Sequence, residues 1–315
     1  MAAPTNSFLT YSAIGNREDL SDVIYRIDPV DTPFMSGIET EKATAVNHEW
    51  QTQALAAASG SNAQAEGNDF AGVAVTATVR LGNTAQISAK YAVVSGTQQA
   101  VKHAGRANEM AYQEMLKGLE LKRDMETVLA GTNQAKNTTD VRTCASVLSW
   151  IKSNTVKGSG GSDPSAADGT GTRTDGTQVA FTEANLKTVL SSIWTAGGKP
   201  DVIMTGAFNK QVFSTFTGRA TPIEDTKSKK ITAAVDAYES DFGKLKVVPD
   251  RFQRSRDVLV LETDKWAIGY LNGRRFVSLY IAPTGDSEKR EILSEYTLVA
   301  RNEKSSGGVF DNTTS

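Results

Sequence analysis

Cysteine and histidine are nearly absent: 315 residues carry one cysteine, Cys144, and two histidines, His48 and His103. A lone cysteine excludes an internal disulfide framework and a cysteine-built zinc site. So few side chains able to act as nucleophile or general base leave little for hydrolytic catalysis. His48 falls in an alternating strand pattern and His103 near a helix start, places that suit surface or interface side chains better than catalytic ones. An excess of either charge is missing too. With 34 Lys and Arg against 36 Asp and Glu, the net charge is −2, whereas a protein that binds by neutralising phosphates needs a basic surplus or stripe. The cluster Lys227, Lys229, Lys230 is too short to be one and reads as a solvated loop.

Long apolar runs are also missing: no stretch reaches the ~20 residues of a membrane-spanning helix, and Met-Ala-Ala-Pro-Thr-Asn-Ser7 lacks the charged and apolar regions of a secretory signal. The expectation is a chain made and kept in the cytoplasm, or released by lysis. Gly158-Ser-Gly-Gly161 and Gly197-Gly-Lys-Pro200 are glycine-rich but lack the spacing of a phosphate-binding loop. Asp163, Asp168 and Asp175 lack the spacing and closing glutamate of a calcium-binding loop. No metal and no cofactor is expected, and the chain reads as a non-enzyme.

What is present is a long projecting hairpin that leads into a long helix. Val46-Asn-His-Glu-Trp-Gln-Thr-Gln53 and Val73-Ala-Val-Thr-Ala-Thr-Val-Arg-Leu81 alternate in character with the period of two of β-strands. A third run, Thr84 to Val94, sets Ala85, Ile87, Ala89, Tyr91 and Val93 on one face. Between the arms, Ala54 to Gly72 is a tip of Ala, Ser, Gly and Asn that cannot fold on itself. Ser95 with Gln98 offers a capping-box start for a helix through Met115, Leu119, Leu121, Met125, Val128 and Leu129 to Gly131. Its roughly 33 residues would span about 50 Å. Gly105 and Gly118 each weaken it by ~1 kcal/mol. No compact domain needs such parts for its own core, so the chain reads as a subunit completed by its neighbours.

Residues 1–45 look like an arm, with a short helix capped by Asn16 and carrying Leu20, Val23, Ile24 and Ile27, ended by Asp28-Pro29. Asp31-Thr-Pro-Phe34 follows as an extended turn with an apolar anchor. After a short apolar run, Val141 to Ile151, comes a low-complexity loop, Lys157 to Thr177, long enough to be either functional or mobile. Thr182 then caps a helix whose Leu186, Val189, Leu190, Ile193 and Trp194 form one stripe. Strands are expected at 201–205, 231–238, 245–248, 258–262, 266–271, 276–282 and 291–301, and a helix at 207–216. Helices and strands mix without a regular βαβ rhythm, which is an α+β pattern.

Gly15-Asn-Arg-Glu-Asp-Leu-Ser-Asp-Val-Ile24 and Asp28-Pro-Val-Asp-Thr-Pro-Phe34 resemble the opening of a family of tailed-phage major capsid proteins that was long catalogued only as a domain of unknown function. The likeness continues through Glu66-Gly67, Val94-Ser-Gly-Thr-Gln98, Glu120-Leu-Lys-Arg-Asp-Met-Glu126, Asp241-Phe-Gly243, Val247-Val-Pro-Asp-Arg-Phe252, Thr284-Gly-Asp-Ser287, Glu295-Tyr-Thr-Leu298 and Asn302-Glu303. It covers nearly the whole chain. The resemblance implies the Hong Kong 97 type of capsid fold, with an N-terminal arm at 1–45, an E-loop at 46–96 and a P-domain with its spine helix at 97–140. An A-domain at 141–281 and return strands at 282–315 complete it. Phe34, Trp50, Glu66, Phe70, Arg80 and Arg123 are the candidate contacts with neighbouring copies.

The implied role is self-assembly into hexamers and pentamers that form the head shell around double-stranded DNA, with a portal and a decoration protein as further partners and only weak, non-specific contact with the DNA. A bacterial nanocompartment shell of the same fold is the alternative, and a hydrolase a remote one. No lysine occurs between Lys42 and Lys90, so the E-loop has no amine for a lysine–asparagine crosslink and the expected shell is non-covalent. The arm begins almost at Met1, leaving no room for a cleaved scaffolding domain, so a separate scaffold protein is expected.

Overall fold

Pro33 sets the first local structure. Its fixed φ and missing N–H suit the first turn of a helix. The computed structural model, which describes residues 28–69, 72, 74–102, 105–216 and 237–315, has a short helix α1 there, Pro33–Gly37. An extended turn was expected; a helix forms because Glu126, far along the chain, binds the amides of its first turn. The arm helix expected around Leu20 lies outside the described residues. Strand β1, Glu39–Ala43, follows, and its charged pattern gave no sign of it.

Strands β2 (Asn47–Thr52) and β3 (Val79–Thr84) pair antiparallel, with Trp50 opposite Leu81. The second arm was expected to start at 73. Regular pairing begins only at Val79; beyond it the two arms are joined by side chains, with Thr78 Oγ1 donating to Gln51 at 3.0 Å and Gln53 Nε2 to the carbonyl of Thr76 at 3.1 Å. Strand β4, Gln86–Ser95, comes next. Its alternation is as expected, and the structure assigns the sides: Ala92 and Val94 are buried with Met110, while Ile87, Tyr91 and Val93 are exposed.

Ser95 Oγ does accept the amide of Gln98, at 3.2 Å, at the start of α2 (Gly96–Ala100). The long helix nevertheless breaks. Gly105 takes a φ of +73°, a left-handed value no helix tolerates. A fresh helix α3, Glu109–Glu126, then starts at Asn108, whose Oδ1 caps the amide of Ala111 at 3.0 Å. It closes in a π turn, Thr127–Gly131; together they span about 34 Å instead of 50.

Helix α4 (Val147–Trp150) is wholly buried, and the short strand β5 (Thr155–Val156) follows it. Thr182 Oγ1 caps α5 (Glu183–Thr195) as expected, and Leu186, Val189, Leu190 and Ile193 are buried. Trp194 leaves that stripe: it is exposed and lies against the ring of Phe242, 5.5 Å between centroids. Then come β6 (Val202–Thr205), α6 (Ala207–Phe213), β7 (Ala237–Ser240), β8 (Gly243–Pro249) and β9 (Val258–Leu261). Strands β10 (Trp266–Leu271), β11 (Val277–Ile281), β12 (Ser287–Ala300) and β13 (Gly307–Val309) complete the chain.

Two larger sheets result. Six strands order as β5-β13-β9-β6-β8-β7, with α5 and α6 supplying Leu186, Ile193 and Phe213 to their core. Five strands order as β1-β10-β12-β11, with β4 on the far edge of β12, since Lys289–Leu293 pair with both β11 and β4. β10 and β11, expected within 141–281, are therefore sheet partners of β12, and β13 returns to the six-stranded sheet. The largest core, with Trp150, Trp266, Tyr296, Leu121 and Leu129, lies where α3, α4 and β10–β12 meet.

Candidate functional site

The finger formed by β2 and β3 is anchored at its root and open at its tip. Trp50 Nε1 donates to the carbonyl of Ala300 at 3.0 Å, and its ring lies 5.4 Å from that of Trp150. Asn83, fully buried, donates to the carbonyls of Leu298 (2.7 Å) and Ala145 (3.3 Å) and accepts the amide of Ala145 at 2.9 Å. Lys136 Nζ closes the same root on the carbonyl of Gly82 at 2.7 Å. Beyond Thr52 the described side chains of the tip face solvent; Leu55 is 97% and Val75 96% exposed. Glu66 stands exposed in the tip beside Gly67 at φ +78°, and exposed Arg80 pairs with Glu49 across the strands. Phe70 and His103 lie outside the described residues.

The described part of the arm meets the spine inside the subunit, through Glu126. Phe34 is 1% exposed and packs into the chain's own core, so it offers almost no surface to a neighbour. Trp50, likewise, mostly contacts its own subunit. Arg123 lies over the ring of Phe252, 5.4 Å from its centroid. Among the six candidates, Glu66 and Arg80 are the described residues exposed to solvent.

A surface that period-two alternation groups but does not orient is the sheet face turned away from α3. Residues directly opposite across strands share a face, and Tyr91 sits opposite Glu291, which sits opposite Leu279; Val93 sits opposite Lys289, opposite Ile281. The even-numbered residues of β4 face the spine, as the Lys90–Asp124 ion pair at 2.6 Å shows. The outer face therefore presents Ile87, Tyr91, Val93 and Leu279, between 40% and 61% exposed. Reading which face of β4 met α3 would have needed the helix position, which the alternation does not contain.

Of the side chains singled out in the sequence, Asp163, Asp168, Asp175 and His48 all have partners inside the chain, Asp168 accepting from Thr170. Asp163 meets Lys157, Arg173 and Thr155, and Asp175 meets Arg254 and Arg256. The 157–177 loop is thereby fastened, with Arg173 stacked 3.5 Å from the ring of Phe310 and Ser162 bridged to Thr174. His48 Nε2 lies 2.7 Å from Glu41. Burial pushes the Cys144 thiol up to about 12, far from the reactive thiolate range. A cavity of about 500 Å³ is lined by Glu183, Lys187, Leu190, Tyr238, Asp241 and Phe242, and Lys187 is neutralised there by Glu183 at 2.9 Å. Among the described residues no cluster of three His, Cys, Asp or Glu side chains could hold a metal ion, and no helix is long and apolar enough to cross a membrane.

The family described as SU10 major capsid protein matches the chain over residues 3–313. A major capsid protein of Escherichia phage Phieco32 is 27% identical over 351 residues, covering 98% of each chain. Among solved structures, a chain of the Cyanophage A-1(L) capsid asymmetric unit superposes with a TM-score of 0.64 at 15% identity, covering 98% of this chain and 99% of that one. A chain from the capsid of a native GTA particle gives 0.65 at 9% identity, over 98% and 100%. At these identities the structures establish a shared fold, the Hong Kong 97 type.

Proposed function

From its membership of the SU10 major capsid protein family, we infer that this chain is the tile of a tailed-phage head and that finger, arm and sheet face are its joints. It is a major capsid protein and a component of the virion. The finer reading is that copies form hexamers and pentamers, each finger tip lying on an adjoining copy. The observation that carries this is the contrast within the finger: a root held by Trp50 and Asn83, and a tip whose Leu55 and Val75 find nothing to bury against. A monomer gains nothing from holding apolar side chains in water on a fixed support.

The energetics fit assembly. Obligate interfaces bury several thousand Å² per subunit, and at ~25 cal/mol per Å² the gross gain is large, with lost rigid-body freedom and loop ordering offsetting much of it. Single contacts of about −4 kcal/mol, a millimolar affinity, let misplaced copies leave, while many together make a durable shell. The near-balanced charge of −2 suits a shell filled by a motor better than one that condenses its genome on basic arms.

The parts fall to the sheets as follows. The six-stranded sheet with α5 and α6 serves as the A-domain, while the five-stranded sheet with α3 serves as the P-domain and takes β10 and β11 with it. A separate scaffold, a portal, a decoration protein and weak contact with packaged DNA complete the proposed set of partners, with assembly in the host cytoplasm. The chain acts by assembling rather than by catalysis. Electron microscopy of the purified, overexpressed chain tests the reading: capsomers or shells are expected, and a monomer at every concentration and salt tried would overturn it.

A further inference from the structure

Strand β4 lies at the edge of the five-stranded sheet, and among the described residues no strand pairs with its outer side. In an antiparallel ladder every second residue exchanges both of its hydrogen bonds with the partner strand, and the residues between turn their N–H and C=O the other way. All ten residues of β4 are in register with β12, so half of its backbone groups point out along the free edge. Such edges are ordinarily blunted by short length, proline or charge. Gln86-Ile-Ser-Ala-Lys-Tyr-Ala-Val-Val-Ser95 is long against the usual ~5–6 residues, has no proline, and carries one charge, Lys90, which is turned to Asp124 on the spine. Beside the edge runs a groove of about 510 Å³, lined by Tyr91–Ser95 and by Gln98, Gln113 and Lys117 from α2 and α3.

The finger has the complementary lack. Ala74-Val-Thr-Ala-Thr78 has the alternating, β-branched pattern of a strand, yet the ladder between β2 and β3 stops at Val79. Residues 74–78 are exposed and, among the described residues, are tied to the other arm by the side chains of Gln51 and Gln53. This is a strand sequence without a partner strand. Its own β4 is out of reach. Ala85 alone separates β3 from β4, and the six residues of β3, locked to β2, hold 74–78 at the far end of the ladder, about 20 Å from where β4 begins.

We propose that β4 takes residues 74–78 of a second copy as an added strand, so that the finger docks by main-chain hydrogen bonds along the Gln86–Ser95 edge. This rests on the capsid reading and gives the tip its acceptor. Strand addition draws its affinity from main-chain hydrogen bonds and its specificity from alternate side chains, and here the faces match. Val75 and Ala77 point to one side of the segment, Thr76 and Thr78 to the other. With Val75 and Ala77 beside the exposed Tyr91 and Val93, apolar surface of both copies is covered, and the threonine hydroxyls enter the groove among Gln98, Gln113 and Lys117. Donor and acceptor are different surfaces, so each copy gives its tip to one neighbour and takes the tip of another. Such a head-to-tail contact closes into a ring when its rotation permits.

Hydrogen–deuterium exchange on the full chain, free and assembled, tests this. The fast-exchanging amides of 86–95 and those of 74–78 should both slow by about tenfold or more in shells. Shells in which either set exchanges as it does in the free subunit overturn the added strand and leave the capsid reading standing, whereas a parent chain that never assembles overturns both. Ala74→Pro combined with Ala77→Pro takes a ladder donor from the segment whichever of its residues face the edge. Both positions are exposed, so the double variant should unfold at the same urea concentration as the parent yet form no shells. Normal shells from it, or shells whose 86–95 amides are still protected, would mean that something else covers the edge, such as residues 1–27 of a neighbour, and would overturn the proposal. Should the double variant misfold, exchange on the parent chain decides alone.

Discussion

Trp50 donates its indole N–H to the carbonyl of Ala300, 250 residues away in sequence, and so fixes the root of the finger to the last residue of β12. A projecting hairpin is only useful as a joint if its direction is set, and this bond, with the ring of Trp150 beneath it, sets that direction. Trp50→Ala should destabilise the chain by about 2–3 kcal/mol, less than the ~3–5 kcal/mol of a fully buried aromatic, because Trp50 is only half-buried. Trp50→Phe keeps the ring stacking and loses the bond, costing about 1 kcal/mol. Urea unfolding should separate the two variants by about 1–2 kcal/mol; a Trp50→Phe chain as stable as the parent would mean the hydrogen bond contributes nothing, and equal losses in the two variants would mean the ring contributes nothing.

Gly131 and Gly118 sit on the same spine and should respond in opposite ways to one substitution. A methyl group added at Gly118 would meet nothing within 4 Å, so Gly118→Ala gains helix propensity, about 1 kcal/mol. At Gly131 the added methyl would meet the Phe252 carbonyl at 2.0 Å, so Gly131→Ala should cost about 1–3 kcal/mol through overpacking. Thermal unfolding should therefore move up for the first variant and down for the second.

What could be read from the chain follows the range of the interactions involved. Ser95 and Thr182 cap helices within three residues of themselves, and both were legible. The stripe of α5 was legible except for Trp194, whose aromatic partner Phe242 is remote in sequence. The break at Gly105 was visible as a cost but not as a stop; Asn108 just before Glu109 and Met110 was the capping signal that went unread. β1 was invisible because its hydrogen-bonding partner, β10, pairs Glu39 with Ala267. Phe34 reads as an outward anchor for the same kind of reason. Whether it faces a neighbour or its own core is decided by Glu126, 92 residues on.

Asp163 fastens the glycine-rich loop, and acid should release it. Burial works to raise its carboxyl, but hydrogen bonds from Lys157, Thr155 and Arg173 and the charge of Arg173 outweigh that and hold it below the ordinary aspartate value. A depressed carboxyl stabilises the fold above the unfolded value of about 4, and that contribution is lost as pH falls through its lower folded value. Asp163→Asn should therefore expose 157–177 to limited proteolysis at pH 7, while the wild-type loop resists it. Equal cleavage of both would show that the loop is held by its other contacts.

The stretch from Glu49 to Arg80 contains no lysine, so the finger of one subunit has no amine to join to an asparagine of the next. Mature particles dissolved in hot detergent should run as a single band at the monomer mass of 33.7 kDa. A ladder of higher bands that survives reduction would contradict a shell held by non-covalent contacts.

Val93 and Tyr91 distinguish a surface that serves the fold from one that serves assembly. Both stand on the side of β4 away from α3, 61% and 59% exposed, so neither contributes much buried area to the subunit. A charge placed there costs the lone subunit little, because water still solvates it; exposed substitutions of this kind usually change stability by less than about 0.5 kcal/mol. In a closed interface the same charge is stripped of water without a partner, which costs several kcal/mol for each copy. Repeated at every joint of a shell, that penalty is prohibitive. Val93→Glu and Tyr91→Lys should therefore unfold at the same urea concentration as the parent chain yet form no shells under the electron microscope. Normal shells from both variants would mean that this face remains open in the assembled particle, and would confine the joints to the finger tip and the arm.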